Sequence, residues 1–232
     1  VNKDSVKILI TQYEDFVNQF PNIHTTFESL ISESQLYAYH LNQFDSAMLK
    51  LNRVIGNPKA SSYLKAKAKL ETGDIYLLRD EPWEATLLYS QVEKSQRESQ
   101  LGYEAKLRNA RLSYFQGDFK LAEAHLDILK QATSREIAND ALELTLRIKE
   151  NLGMDTLGTA LTLYADVEKL LYQNKIEEAI IKIEELKKGQ TLKTSKIGGD
   201  STVTVTNYSI LDDVYWLEAN LRMRKGEFKE AI

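Results

Sequence analysis

The chain has 232 residues, a formal charge of −4 and no cysteine. That length can hold a sizeable core, the slight acidity gives bulk nucleic-acid or anionic-membrane binding no electrostatic support, and disulfides and thiolate metal sites are excluded. Hydrophobic residues make up 43% while Gly is 10 and Pro is 3, a composition for helices rather than for a loop-rich β protein. No apolar run approaches the ~18 residues of a membrane span. The chain opens at Val1 and stops at Ile232 inside a helical pattern, so it is expected to be a piece of a longer protein.

From the N-terminus, KDSVKILITQYEDFVNQFPN reads as a helix that should stop at Phe20, ahead of Pro21. A unit then recurs five times. It begins at a turn residue, Asn42, Asp80, Gly117, Asn174 or Gly226, each of a type that tolerates the left-handed conformation. Two residues on come Phe44, Pro82, Phe119, Ile176 and Phe228, four apolar plugs and one proline suited to a first helical turn. Five residues after the turn stands Ala47, Ala85, Ala122, Ala179 or Ala231, small enough for two helices to approach closely. Leu51, Tyr89, Leu126 and Ile183 follow at Ala plus four, and Val54, Val92, Leu129 and Leu186 at Ala plus seven. That spacing is the apolar stripe of an amphipathic helix. A second helical pattern precedes each turn, such as YLKAKAKLETGDIYLL before Asp80 and YEAKLRNARLSYF before Gly117. Helix, turn and helix in repetition predict an all-α solenoid over residues 1–232, with about five helix-turn-helix repeats.

Two stretches break the period. SREIANDALELTLRIKENLG (Ser134 to Gly153) is predicted as one extra helix, closed by Gly153 and followed by a helix from Thr156 to Tyr172. The alternation of inner and outer helices is expected to slip there. In residues 187–209 helical periodicity disappears, and the stretch reads as a loop insertion. A small hairpin turning at Ile197–Asp200, with an exposed edge, is the alternative.

Chemistry-bearing motifs do not stand out. His24, His40 and His125 lack a second ligand at metal spacing on the same helix face. There is no Walker loop, GxGxxG or GxSxG. Glu177-Glu178 and Glu184-Glu185 read as solvated faces. The expectation is no catalytic residue, no cofactor and no metal.

The repeat resembles the tetratricopeptide family. The unit from Ala66 carries Gly73, Tyr76, Ala85 and Tyr89 at the family's small, aromatic, Ala and aromatic positions, and the unit from Tyr103 carries Ala110, Gly117 and Ala122. The resemblance implies a right-handed superhelix whose inner helices line a concave groove. Carried over by alignment, that groove would be built from Tyr39 with His40, Leu78, Tyr114 with Phe115, Tyr172 and Arg224 near the turns. Tyr164 and Trp216 stand earlier in their helices, with Arg111 and Asn220 as the polar candidates between. With few polar groove positions, a clamp for a terminal carboxylate is disfavoured, and an apolar or mixed polypeptide segment is the expected ligand. The run from Ala138 to Ile180 is also similar to repeat proteins of the Bacteroidetes, several of them in the cell envelope, and Asp200-Ser201-Thr202 is similar to the short O-glycan acceptor of such proteins. The implied role is a non-catalytic scaffold or adaptor that binds a protein or peptide, neither nucleic acid nor membrane. The alternatives are a structural module that self-associates through uncapped solenoid ends, and an envelope glycan-associated enzyme subunit.

Overall fold

The computed structural model describes residues 2–130, 134–154, 158–190, 194–196, 202–204 and 210–227. The chain divides into two compact units, Val1–Asn109 and Ala110–Ile232. The described elements are α-helices apart from one π-helical turn and one short strand pair. The helices are α1 (Lys3–Gln19), α2 (His24–Gln35), α3 (Phe44–Ile55), α4 (Ser62–Leu78), α5 (Pro82–Ser95), α6 (Gln100–Phe115), α7 (Phe119–Leu129), α8 (Arg135–Met154), α9 (Thr159–Tyr172), α10 (Ile176–Gln190) and α11 (Leu211–Lys225). Between α10 and α11, β1 (Thr194–Lys196) pairs antiparallel with β2 (Thr202–Thr204) in the register Thr194↔Thr204.

Helices pack in sequence order. In the first unit α1 lies on α2, α2 on α3, α3 on α4 and α4 on α5, and α2 also reaches α4. In the second, α7 packs on α8, α8 on α9, α9 on α10 and α10 on α11.

The turns follow from backbone sterics. Asn42, Asp80, Gly117, Asn174 and Gly226 all have positive φ, between 55° and 80°. At Asp80 the helix end closes by a pair of bonds: Asp80 N–H donates to the Leu77 carbonyl and Glu81 N–H to the Tyr76 carbonyl, at 3.1 and 2.8 Å. The same pair recurs at Gly117, Asn174 and Gly226. This is the Schellman closure, which satisfies carbonyls the helix leaves open. Side chains then start the next helices. Ser61 Oγ accepts from Leu64 N–H, Asp118 accepts from Leu121 N–H, and Pro82 occupies the first turn of α5.

The first turn differs. Here Gln43 N–H donates to the Tyr37 carbonyl, one residue further back, and Leu36–His40 forms a π-helical turn. A π turn absorbs one extra residue in a helix. The burial pattern agrees. In α4 the buried run includes Ala68, Leu70, Thr72 and Gly73; in α2 it is Ser29, Ile31, Glu33 and Ser34, one residue further from the turn. Counting back from the turn as in α4 would reach half-buried Ser32, whereas the buried residue is Ile31.

The repeated small residues are buried completely. Ala47, Ala85, Ala122 and Ala179 have no exposed surface, and the stripe residues Leu51, Tyr89, Leu126, Ile183, Val54, Val92, Leu129 and Leu186 are buried with them. Phe228 and Ala231 lie outside the described residues. In the second unit of the repeat the reason for a small residue is measurable. A Cβ on Gly73 would come within 2.4 Å of the Tyr89 ring. That ring cannot retreat easily, because Tyr89 Oη donates to Asp74 Oδ1 at 2.7 Å.

Two expectations are corrected. Gly153 does not close α8, which runs on to Met154, and a side chain at Gly153 would meet nothing within 4 Å. The left-handed residue is Gly158, φ 65°, which caps α9, so that helix begins at Thr159 rather than Thr156. Likewise α10 extends to Gln190, beyond the expected loop start at Lys187. The residues proposed for a hairpin turn, Ile197–Asp200, and most of the possible glycan acceptor lie outside the described residues.

Candidate functional site

The second unit contains a cleft of about 460 Å³. Four helices supply its lining. From α6 come Arg111, Tyr114 and Phe115; from α9, Glu168 and Tyr172; from α11, Trp216. Helix α8 adds Asp140, Glu143, Leu144 and Arg147. Those four stand at i, i+3, i+4 and i+7, one face of the helix.

The floor is aromatic. The Tyr114 and Phe115 ring centroids are 5.9 Å apart, Tyr114 and Phe119 are 5.8 Å apart, and Phe115 and Tyr172 are 6.1 Å apart, all tilted. Such offset geometry is favourable for rings. Tyr114 is 1% exposed and Phe115 6%, whereas Trp216 is 70% exposed. Trp216 therefore stands open to an incoming partner, and Tyr114 belongs to the floor.

A charged cluster sits above the rings. Arg147 donates to Glu168 Oε1 at 2.8 Å and to Glu143 Oε1 at 3.1 Å, and its guanidinium lies 5.8 Å from the Tyr164 ring centroid. Burial raises the Glu168 carboxyl above its ordinary value, with Arg147 and Tyr114 opposing. Burial also pushes the Tyr114 and Tyr164 phenols up. The Tyr114 hydroxyl is buried and faces the Glu168 carboxylate.

Of the residues expected from the sequence, Arg111, Tyr114, Phe115, Tyr172 and Trp216 come together in this cleft. Tyr164 is buried under Arg147. Asn220 is half-buried, its amide donating to the Trp216 carbonyl at 2.8 Å, and Arg224 is exposed in the last turn of α11. In the first unit, Tyr39 and His40 are exposed in the π turn, and Leu78 is half-buried at the end of α4. None of these three lines the cleft.

Three kinds of residue were missed. Glu168 occupies the same repeat position as Arg111, six residues before its turn, and Asp74 does so in the first unit. Reading that column in every repeat finds both. Asp74 is also held by Arg108, whose Nε stands 3.2 Å from each carboxylate oxygen. The α8 residues were passed over because that helix lies outside the repeat alignment.

Elsewhere, His24 Nδ1 approaches Glu28 Oε2 at 3.4 Å on an exposed helix face. Among the described residues no group of three or more His, Cys, Asp or Glu could hold a metal ion, and no helix is long and apolar enough to cross a membrane. No family model, no curated protein and no solved structure matches this chain.

Proposed function

We propose that the chain is a non-catalytic adaptor of the tetratricopeptide type, and that the cleft of residues 110–232 holds a segment of a partner polypeptide. Trp216 carries this reading: a large aromatic side chain, 70% exposed, at the rim of a cleft floored by buried rings. Aromatic anchors beside apolar pockets are the usual centres of binding energy, because they bring contact area with few rotors to freeze. The repeat type is supported by the five left-handed turn residues and the four fully buried alanines.

The test is affinity capture with the full chain beside Trp216→Ala and Trp83→Ala. Trp83 is 78% exposed on α5 in the other unit and serves as the control for loss of an exposed tryptophan. The polypeptide captured by the unsubstituted chain should bind Trp216→Ala about 30-fold more weakly or worse, the effect of losing a hot spot of ~2 kcal/mol. Trp83→Ala should bind as before. The reverse pattern moves the interaction to the surface around α5 and overturns the cleft assignment.

A further inference from the structure

Helix α1 carries two apolar stripes. Val6, Ile10 and Val17 are buried, and α1 packs on α2 and on the π turn. Leu9, Tyr13, Phe16 and Phe20 make the second stripe, at spacings of four, three and four. That is the seam spacing of paired helices. Leu9 is 40% exposed and Phe20 43%, while Tyr13 and Phe16 are half-buried. Phe20 caps the helix, and its ring lies 5.3 Å from that of Phe16, so the stripe runs on to the end of α1.

Two features of the stripe select its occupant. The spacing reads the same in both directions. An antiparallel second α1 therefore sets Leu9 opposite the second copy's Phe20, and Tyr13 opposite its Phe16. A twofold contact needs this self-complementarity, since every pair in it occurs twice. The flank of the stripe is also uncharged. Ser5, Gln12 and Gln19 border it, four residues before or three after Leu9 and Phe16, and all three are exposed. Lys3, Asp4, Lys7 and Asp15 point toward the opposite side of the helix. Self-pairing thus brings no like charges together, sets Gln12 beside the second copy's Gln19, and opposes the two helix dipoles. A partner with a charged rim would find no counter-ion here.

We propose that α1 pairs antiparallel with α1 of a second copy through Leu9, Tyr13, Phe16 and Phe20, so that the dimer carries two clefts. Two linked clefts bind a partner with repeated segments more tightly than one cleft does. The pairing itself does not depend on what the clefts hold. Four side chains are far fewer than the ~20 residues a side of a standard interface, so the dimer dissociates on dilution.

Sedimentation equilibrium of the full chain at increasing concentration tests it, beside Leu9→Lys/Phe20→Lys. Both positions are exposed, so the variant keeps its fold, which a thermal melt checks. The expected result is a shift from one to two chain masses, with the association of the variant weakened about 100-fold or more by like charges facing each other. The chain has no cysteine, so Gln12→Cys and Gln19→Cys chains report the direction of pairing. Under mild oxidation their mixture should give a disulfide dimer that neither gives alone, because a disulfide needs Cα atoms within ~7 Å. Disulfide dimers from each chain alone would make the pairing parallel and overturn the proposal. A chain that stays monomeric at every concentration, or a dimer unaffected by Leu9→Lys/Phe20→Lys, also overturns it. A chain that gains mass through this stripe only when another polypeptide is added would assign the stripe to that polypeptide and overturn the second copy.

Discussion

Tyr89→Ala is expected to remove about 3–5 kcal/mol from the stability of the Val1–Asn109 unit, the range for truncating a fully buried aromatic side chain. The ring is 1% exposed and sits on Gly73, where no Cβ fills the space it would vacate. The helix cannot refill that space by a rotamer change, so a cavity remains. The truncation also removes the donor to Asp74 Oδ1. Asp74 keeps Arg108, so its charge is not left bare. Tyr89→Phe separates the two contributions. It keeps the packing and loses one hydrogen bond to a carboxylate, about 1.5–3 kcal/mol. A domain of this size has only ~5–15 kcal/mol in total, so the alanine variant should approach unfolding at room temperature. Urea denaturation followed by circular dichroism, with hydrogen exchange of the α4 and α5 amides, reads the effect. A loss under about 1 kcal/mol for the alanine variant would mean that the Gly73–Tyr89 contact is not a core contact.

Lys50→Met should cost a similar amount, and its cost should depend on pH. Glu33 is buried completely in α2. Lys50 Nζ of α3 stands 2.6 Å from Glu33 Oε1 and 3.0 Å from Glu14 Oε1 of α1. Lys50 is thus the counter-ion of a buried carboxylate. Burial raises the Glu33 carboxyl above its ordinary 4.5, and Lys50 pulls it back. An acid raised in the folded state binds its proton more tightly folded than unfolded. Stability is then full below 4.5 and falls as pH rises through the folded pKa. Removing Lys50 raises that pKa further and deepens the fall. At pH 7 the loss is expected to be about 3–5 kcal/mol, the cost of a buried charge without its partner. It should shrink toward pH 4.5, and Lys50→Met/Glu33→Gln should recover most of it at pH 7. Urea titrations of the single and double variants across this range decide the matter. A loss that does not change with pH, or a double variant no better than the single, would assign the effect to lost packing of the lysine stem instead.

The repeat was legible because two simple constraints write it into the sequence. A helix that ends in a left-handed residue needs Gly, Asn or Asp, and all five such positions have positive φ. Two close helices need a small residue, and the four described alanines are buried without remainder. What failed had equally specific causes. The π turn at Leu36–His40 hides one inserted residue, and one insertion leaves the spacing from Asn42 to Ala47 unchanged. Gly153 reads as a stop by residue type, yet a glycine inside a helix costs only about 1 kcal/mol against alanine, and α8 continues through it. Counting aromatic residues identified Tyr114 and Trp216 as equals. Packing separates them, one at 1% and the other at 70% exposure, and no periodicity in α6 or α11 alone carries that difference. The charge on the cleft comes mostly from α8, which the alignment of repeats had set aside.

The cleft is the centre of the account, and photocrosslinking from within it is the most direct test. A photoreactive phenylalanine analogue would be placed at position 172, on the cleft lining with Trp216 intact, and, in a second chain, at position 83. The expected result is one dominant polypeptide adduct from 172, absent from 83 and reduced by Trp216→Ala. An adduct that forms from 83 and not from 172 would contradict the account and place the partner on the surface around α5.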